Sequence, residues 1–376
     1  MHRLRGVLTS GLTGSPRPLY PGAVALVVRD GSRQPTVAVG DALRYEDADG
    51  TELPIGMRVA MREETVFDVA SLTKLFTATV LMTLVEDGLL ALDGPIAEHL
   101  PSFAAGDRRA VTLRHLLSHT SGLPDLLRLW TDWPSPAARR RAVLEAPLKD
   151  PPGTVFEYSC IGYVVAGFLA EQVSRRTLPE LVQERICRPL GLADTGYLPS
   201  ADQVARAAAT ECQFYLGRGM VSGSVHDENS WSLGGTVGNA GIFSTAADLA
   251  RFGEALRRGG EVDGTRILRD ATVSEMFRDQ LPEGIDPGFR HGLGFRIGDA
   301  TFMGALAASG AVGHTGFTGT SLVIDATRSL VVVLLTNRVH PSRDWSDIAA
   351  VRRRVAEVAA AAGAATGGGA TKERPA

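Results

Sequence analysis

The chain is poor in lysine: of its 39 basic residues only Lys74, Lys149 and Lys372 are not arginine. Cysteine is also scarce. Cys160, Cys187 and Cys212 are odd in number, widely spaced and without paired metal-ligand spacing, which fits reduced thiols and argues against a disulfide framework. The net charge of -3 is small and no basic stripe occurs, so charge gives no case for nucleic acid or an anionic membrane as a partner. At the N-terminus, MHRLRGVLTSGLTGSPRPLYPG is broken by Gly and Pro before a long apolar run forms. Neither a signal peptide nor a membrane anchor is expected from it, and a cytoplasmic location is the default. What is present is an ordinary globular balance, 44% hydrophobic and 22% charged over 376 residues, enough for one large or two ordinary domains.

Lysine scarcity gives meaning to DVASLTKLFTATVLM, where Lys74 stands three positions after Ser71. A guanidinium stays protonated, whereas a buried ammonium can lose its proton at neutral pH and serve as a base. Residues i and i+3 project from one helix face, so Lys74 can reach the Ser71 hydroxyl. A neutral lysine there would activate the serine as a nucleophile. Strand-like VFDVA runs into this helix, placing Ser71 at an N-terminus whose N–H groups and dipole favour developing negative charge.

From Pro21, GAVALVVRDGSRQPTVAVGDA predicts a hairpin at a sheet edge. Ala70 to Asp87, free of Gly and Pro and apolar on most faces, predicts a buried helix ended by Gly88. From about Leu89 to Gly260, helical segments alternate with Pro/Gly loops. Strands return in HGLGFRI, GTSLVIDA and SLVVVLLTN, before a final helix from Trp345 to about Ala361. The run Arg139 to Arg141 is read as a solvated helix face. The expected class is α/β (α+β): a sheet built from both termini, about 19–70 and 262–361, with a mostly helical part, about 71–261, inserted between. A cleft between the two is the expected place for a site. Residues 362–376 are low in complexity and expected to be disordered.

Two further segments carry chemistry. FEYSCIGYVVAG places Tyr158 just before a helix, and GHTGFTGTSLVIDA places His314, Thr315 and Gly316 on or beside a strand facing the sheet's edge. With SLTK and with LLSHTSGLPD, VHDENSWSLGG and NAGIFSTAADLARF, they make a chain that resembles the serine β-lactamase and penicillin-binding-protein superfamily. The likeness runs from about Leu19 to Ala361. It is to the class C-like branch that includes D-aminopeptidases, DD-carboxypeptidases and esterases.

The resemblance implies an antiparallel sheet with flanking helices, no cofactor and no metal, and a small acyl substrate (ester, amide or lactam). It implies Ser71 as the acylated nucleophile and Lys74 as proton acceptor or relay. Tyr158 takes the place of the Y-x-N tyrosine, as base or proton shuttle, and a nearby ammonium would favour its phenolate. His314 takes the place of the lysine of KTG, and the Phe317 N–H, with that of Ser71, would hold the oxyanion. Asp227 and Asn229 are candidate substrate contacts, with hydrogen bonding inside their own loop as the alternative.

Two departures bear on substrate. Cys160 replaces the Y-x-N asparagine, and a thiol cannot do the work of an amide. HTG replaces KTG, and a histidine, largely neutral at pH 7, offers no fixed charge to a substrate carboxylate. The expected activity is therefore esterase on small acyl substrates. A D-amino-acid peptidase, DD-carboxypeptidase or weak β-lactamase comes second, and an acyl-transferring thioesterase or a non-catalytic penicillin-recognising homologue after that. Sequence leaves oligomeric state and natural substrate open. His226, Asp227 and Glu228 are adjacent and cannot easily converge on a metal, and the pair His115 and His119 reads as a helix end. LGGTVGNAG lacks the context of a phosphate loop.

Overall fold

The computed structural model describes residues 2–14 and 16–362. The expectation for the tail falls almost wholly outside these residues. Strands β1 (Gly22–Arg29), β2 (Val37–Leu43) and β3 (Val59–Ala60) come from the N-terminal part of the chain. Strands β4 (Arg290–His291), β5 (Arg296–Ile297), β6 (Val312–Gly316), β7 (Thr320–Asp325) and β8 (Leu330–Thr336) come from the C-terminal part. They join in the order β4-β5-β6-β7-β8-β1-β2-β3, with the short pair Ser32–Arg33 on β1. Every ladder is antiparallel.

The central strands are apolar on both faces because both faces are covered. Val24, Leu26 and Val28 of β1 and Val331, Val333 and Leu335 of β8 face one core, while Ala23, Ala25 and Val27 and Leu330, Val332 and Leu334 face the other. Helix α1 (His2–Ser10) and the C-terminal helix cover the second face; the latter starts at Ala349 rather than Trp345. The first face meets helix α5 (Ala246–Arg257) and, beyond it, the helical middle of the chain.

The predicted buried helix is present in two pieces. A 3-10 turn over Ala70–Leu72 leads into helix α2 (Thr73–Glu86), whose residues are all buried from Thr73 to Leu84. It packs against helix α4 (Cys160–Ser174), buried from Ile161 to Ala170, and helix α3 (Leu113–Leu117) packs on α4 from outside. The C-terminal helix (Ala349–Ala361) is α6.

The arginine run is not a solvated face. Arg139 donates to the carbonyls of Leu129, Trp133 and Ser232, and Arg140 lies 3.7 Å above the Phe168 ring, so only Arg141 of the three is exposed. Long apolar stems and fan-shaped donors let arginine knit helices together where lysine could not. No helix among the described residues is long and apolar enough to cross a membrane.

Candidate active site

Ser71 sits on a strained turn. Phe67–Asp68 pairs with Ile242–Ser244, and the chain then turns sharply at Ala70, whose φ of 48° lies in the left-handed region that a Cβ disfavours. Three side chains hold the turn. The buried Asp68 carboxylate accepts from Ala70 N at 2.8 Å and from His226 N at 2.7 Å. Thr318 and Thr320 donate to the carbonyls of Asp68 and Val69 at 2.8 and 3.0 Å, tying the turn to the sheet. The hydroxyl is thereby presented at the start of α2.

Lys74 is fully buried, and its Nζ donates to Ser71 Oγ at 3.0 Å, to the Asn239 carbonyl at 3.1 Å and to Cys160 Sγ at 3.7 Å. Three acceptors match the three N–H donors of an ammonium. Burial by itself lowers the Lys74 pKa, but Cys160, Tyr158 and Asp227 outweigh it and the net direction is upward. The three acceptors around Nζ suit an ammonium, against the expectation that burial would free its proton.

Tyr158 lies half-buried at the head of α4, its ring 5.0 Å from Lys74 Nζ. His314 is on β6, as expected, but points away from solvent. It is 1% exposed, its ring centre is 5.9 Å from that of Tyr158, and its Nδ1 donates to the Thr315 carbonyl at 2.7 Å. Burial, with Arg296 and Lys74 nearby, keeps its pKa well below the usual value, so it is neutral. Alternation along the strand turns Thr315 to the opposite side, into the cleft. Strand β5 pairs only with Val312 and Gly313, which leaves the edge at His314 to Gly316 open.

Cys160 begins α4 beside Lys74. Burial raises its pKa against the pull of Lys74, which weighs against a nucleophilic cysteine. Asp227 and Asn229 are engaged within the fold. Asp227 caps the helix Glu228–Ser232 through Ser230 N at 2.7 Å and accepts from Asn239 Nδ2 at 3.3 Å. Asn229, 1% exposed, accepts from Leu129 N at 3.1 Å and is not brought into the cleft.

The cleft has a volume of about 300 Å³ and is lined by Ser71, Tyr158, Thr315 and three arginines, Arg296, Arg338 and Arg352. The arginines were missed in the sequence. Arg352 on α6 donates to the carbonyls of Gly316 and Thr320 at 2.8 and 3.1 Å. Arg338 donates to the Phe317 carbonyl at 2.9 Å, and Arg296 pairs with Asp299 at 3.0 Å. Asp347 is the one carboxylate among the lining residues, and Phe317, 48% exposed, forms the rim.

A serine beside a strained turn, a buried ammonium against its oxygen and a tyrosine in the same cleft define a serine hydrolase of the β-lactamase type. The Beta-lactamase family model matches residues 17–357, and the chain belongs to that family. A protein of Escherichia coli (strain K12) named "Putative D-alanyl-D-alanine carboxypeptidase" is 32% identical over 356 residues, covering 85% of this chain and 79% of that one. Its namesake in Salmonella typhimurium (strain LT2) is 30% identical over 373 residues, covering 90% and 83%. Among solved structures, "EstCE1, a hydrolase with promiscuous acyltransferase activity" aligns with a TM-score of 0.71 at 25% identity, covering 94% of this chain and 97% of that one. A family VIII carboxylesterase aligns with a TM-score of 0.71 at 23% identity over 96% of each chain, which supports the fold.

Proposed function

We propose that the protein hydrolyses acyl substrates through a covalent intermediate on Ser71, and that its preferred substrates carry a carboxylate beside the scissile bond, as D-amino-acid peptides do. The Lys74 ammonium, 3.0 Å from Ser71 Oγ, stabilises charge developing on that oxygen. Tyr158 accepts the hydroxyl proton as Oγ attacks the carbonyl carbon, and the Ser71 and Phe317 N–H groups hold the oxyanion. Tyr158 then returns the proton to the leaving group. Water, deprotonated by the same phenolate, attacks the acyl-enzyme and frees Ser71.

The observation that carries the substrate reading is the guanidinium-lined cleft. HTG for KTG removed a cation from one strand position, but Arg296, Arg338 and Arg352 bring three to the same space. Of the two leading readings from sequence, they favour the carboxypeptidase-like one, in line with the names of the curated relatives. Ester hydrolysis remains the second reading, supported by the likeness to EstCE1.

Intact-protein mass spectrometry after treatment with a fluorophosphonate, a penicillin and p-nitrophenyl butyrate tests the chemistry. An adduct or turnover is expected, lost in Ser71→Ala and kept in Cys160→Ala. Turnover that survives in Ser71→Ala would remove the mechanism.

A further inference from the structure

His119, which the catalytic scheme does not use, lies just past the end of α3 inside LLSHTSGLPD and is 1% exposed. Its backbone φ of 60° lies in the left-handed region, uncommon outside glycine though met more often in His, Asn and Asp than in other residues. What this geometry achieves is visible in its partners. The His119 carbonyl accepts from Glu157 N at 2.9 Å, and its ring Nδ1 accepts from Ser159 N at 3.0 Å. One residue therefore holds the backbone amides immediately before and after Tyr158. Its ring centre also lies 4.5 Å from that of Tyr158, at a 38° tilt.

The contact fixes a tautomer. An Nδ1 that accepts from an amide N–H bears a lone pair, so the neutral ring carries its proton on Nε2. Protonation of Nδ1 would set N–H against N–H and release Ser159. The surroundings oppose that state: burial first, then His291, Lys74, His314 and Arg296 around the ring keep the pKa well below the usual value. Phe156, Tyr163 and His291 enclose the ring at 5.9, 5.0 and 5.1 Å between centres.

We infer that His119 is a positioning residue for Tyr158, a neutral clamp whose Nδ1 and carbonyl set the height and direction of the phenol relative to Ser71 and Lys74. The inference rests on the reading of Tyr158 as the proton shuttle. It assigns a role in the reaction to a histidine that sequence alone presents as part of a helix end.

The substitution series separates this role from simple packing. His119→Asn keeps an oxygen where Nδ1 stands and tolerates a left-handed backbone, whereas His119→Gln puts its oxygen nearer the Nε2 position and His119→Ala has neither. With p-nitrophenyl butyrate, Asn is expected to stay within about 5-fold of the parent kcat, while Gln and Ala lose on the order of 100-fold in kcat with little change in KM. The pH profile of kcat/KM should shift in Gln and stay in place in Asn. Circular dichroism and Tm establish that each variant is folded, and Tyr158→Phe is measured beside them.

Loss in Tyr158→Phe with parent kcat in folded Gln or Ala overturns the clamp alone. A folded Asn variant as inactive as Gln also overturns it. Parent turnover in Tyr158→Phe overturns the proton shuttle itself. Should Gln and Ala not fold, 15N NMR of histidine-labelled parent protein decides: the Nε2–H tautomer of His119 at pH 7 is expected, and an Nδ1–H tautomer refutes the clamp.

Discussion

Arg352 shares the cleft with two other guanidiniums and one carboxylate. Burial, with repulsion from Arg338 and Arg296 and partial relief from Asp347, brings its pKa down to about 10, so it remains charged at neutral pH. A bound anion would offset the like-charge repulsion, which is why a carboxylate is the fitting occupant. Arg352→Gln, which can still bond one of the two backbone carbonyls, should raise KM for an acyl-D-alanyl-D-alanine by about 10-fold or more, the worth of one charge-assisted hydrogen bond. Its effect on p-nitrophenyl butyrate, which has no carboxylate, should be slight. Equal losses on both substrates would show that Arg352 only shapes the cleft. Ser71, Lys74 and Tyr158 were legible in the sequence because each sits in a local pattern of strand, turn and helix. The cleft arginines were not, because in a chain that places arginine nearly everywhere a further arginine carries no signal, and their convergence from β5, α6 and the loop after β8 exists only in the fold.

At the level of elements, the nucleophile turn and strand β6 are built against each other. A Cβ added at Gly316 would lie 2.0 Å from Thr320 Oγ1 and 2.4 Å from the Val69 carbonyl, the two atoms whose hydrogen bond pins the turn to the sheet. Gly316→Ala should break that bond and move Ala70 and Ser71 together. A lowered Tm and a fall in kcat on the order of 100-fold are expected, as for a misplaced reacting group. Parent activity with a lowered Tm would mean that the turn holds its shape without the sheet. The elements themselves were largely readable: α2 from its Gly- and Pro-free apolar run, and β1, β7 and β8 from β-branched residues. Sequence placed His314 correctly on a strand but could not say which face it takes. That face depends on the register with β7, where His314 opposes Leu322, and register is a property of the assembled sheet.

Over the whole molecule, four histidines are buried at 1% exposure or less: His119, His291, His314 and His340. Burial lowers the pKa of each, His291 to about 4 and His340 to about 3. The folded state thus binds fewer protons than the unfolded chain between the usual histidine value of 6.5 and these lowered values. Stability is then complete above about pH 6.5 and falls as pH drops through that window. For His291 alone, a shift from 6.5 to about 4 costs about 2 kcal/mol by pH 5. Asp68 works in the opposite sense, since burial raises its pKa, and it offsets a part of this loss. Urea unfolding at pH 7, 6 and 5 should show the midpoint falling with pH, and His291→Gln, which cannot be protonated, should flatten the slope. A midpoint unchanged from pH 7 to 5 would mean that these histidines gain solvent or partners once charged.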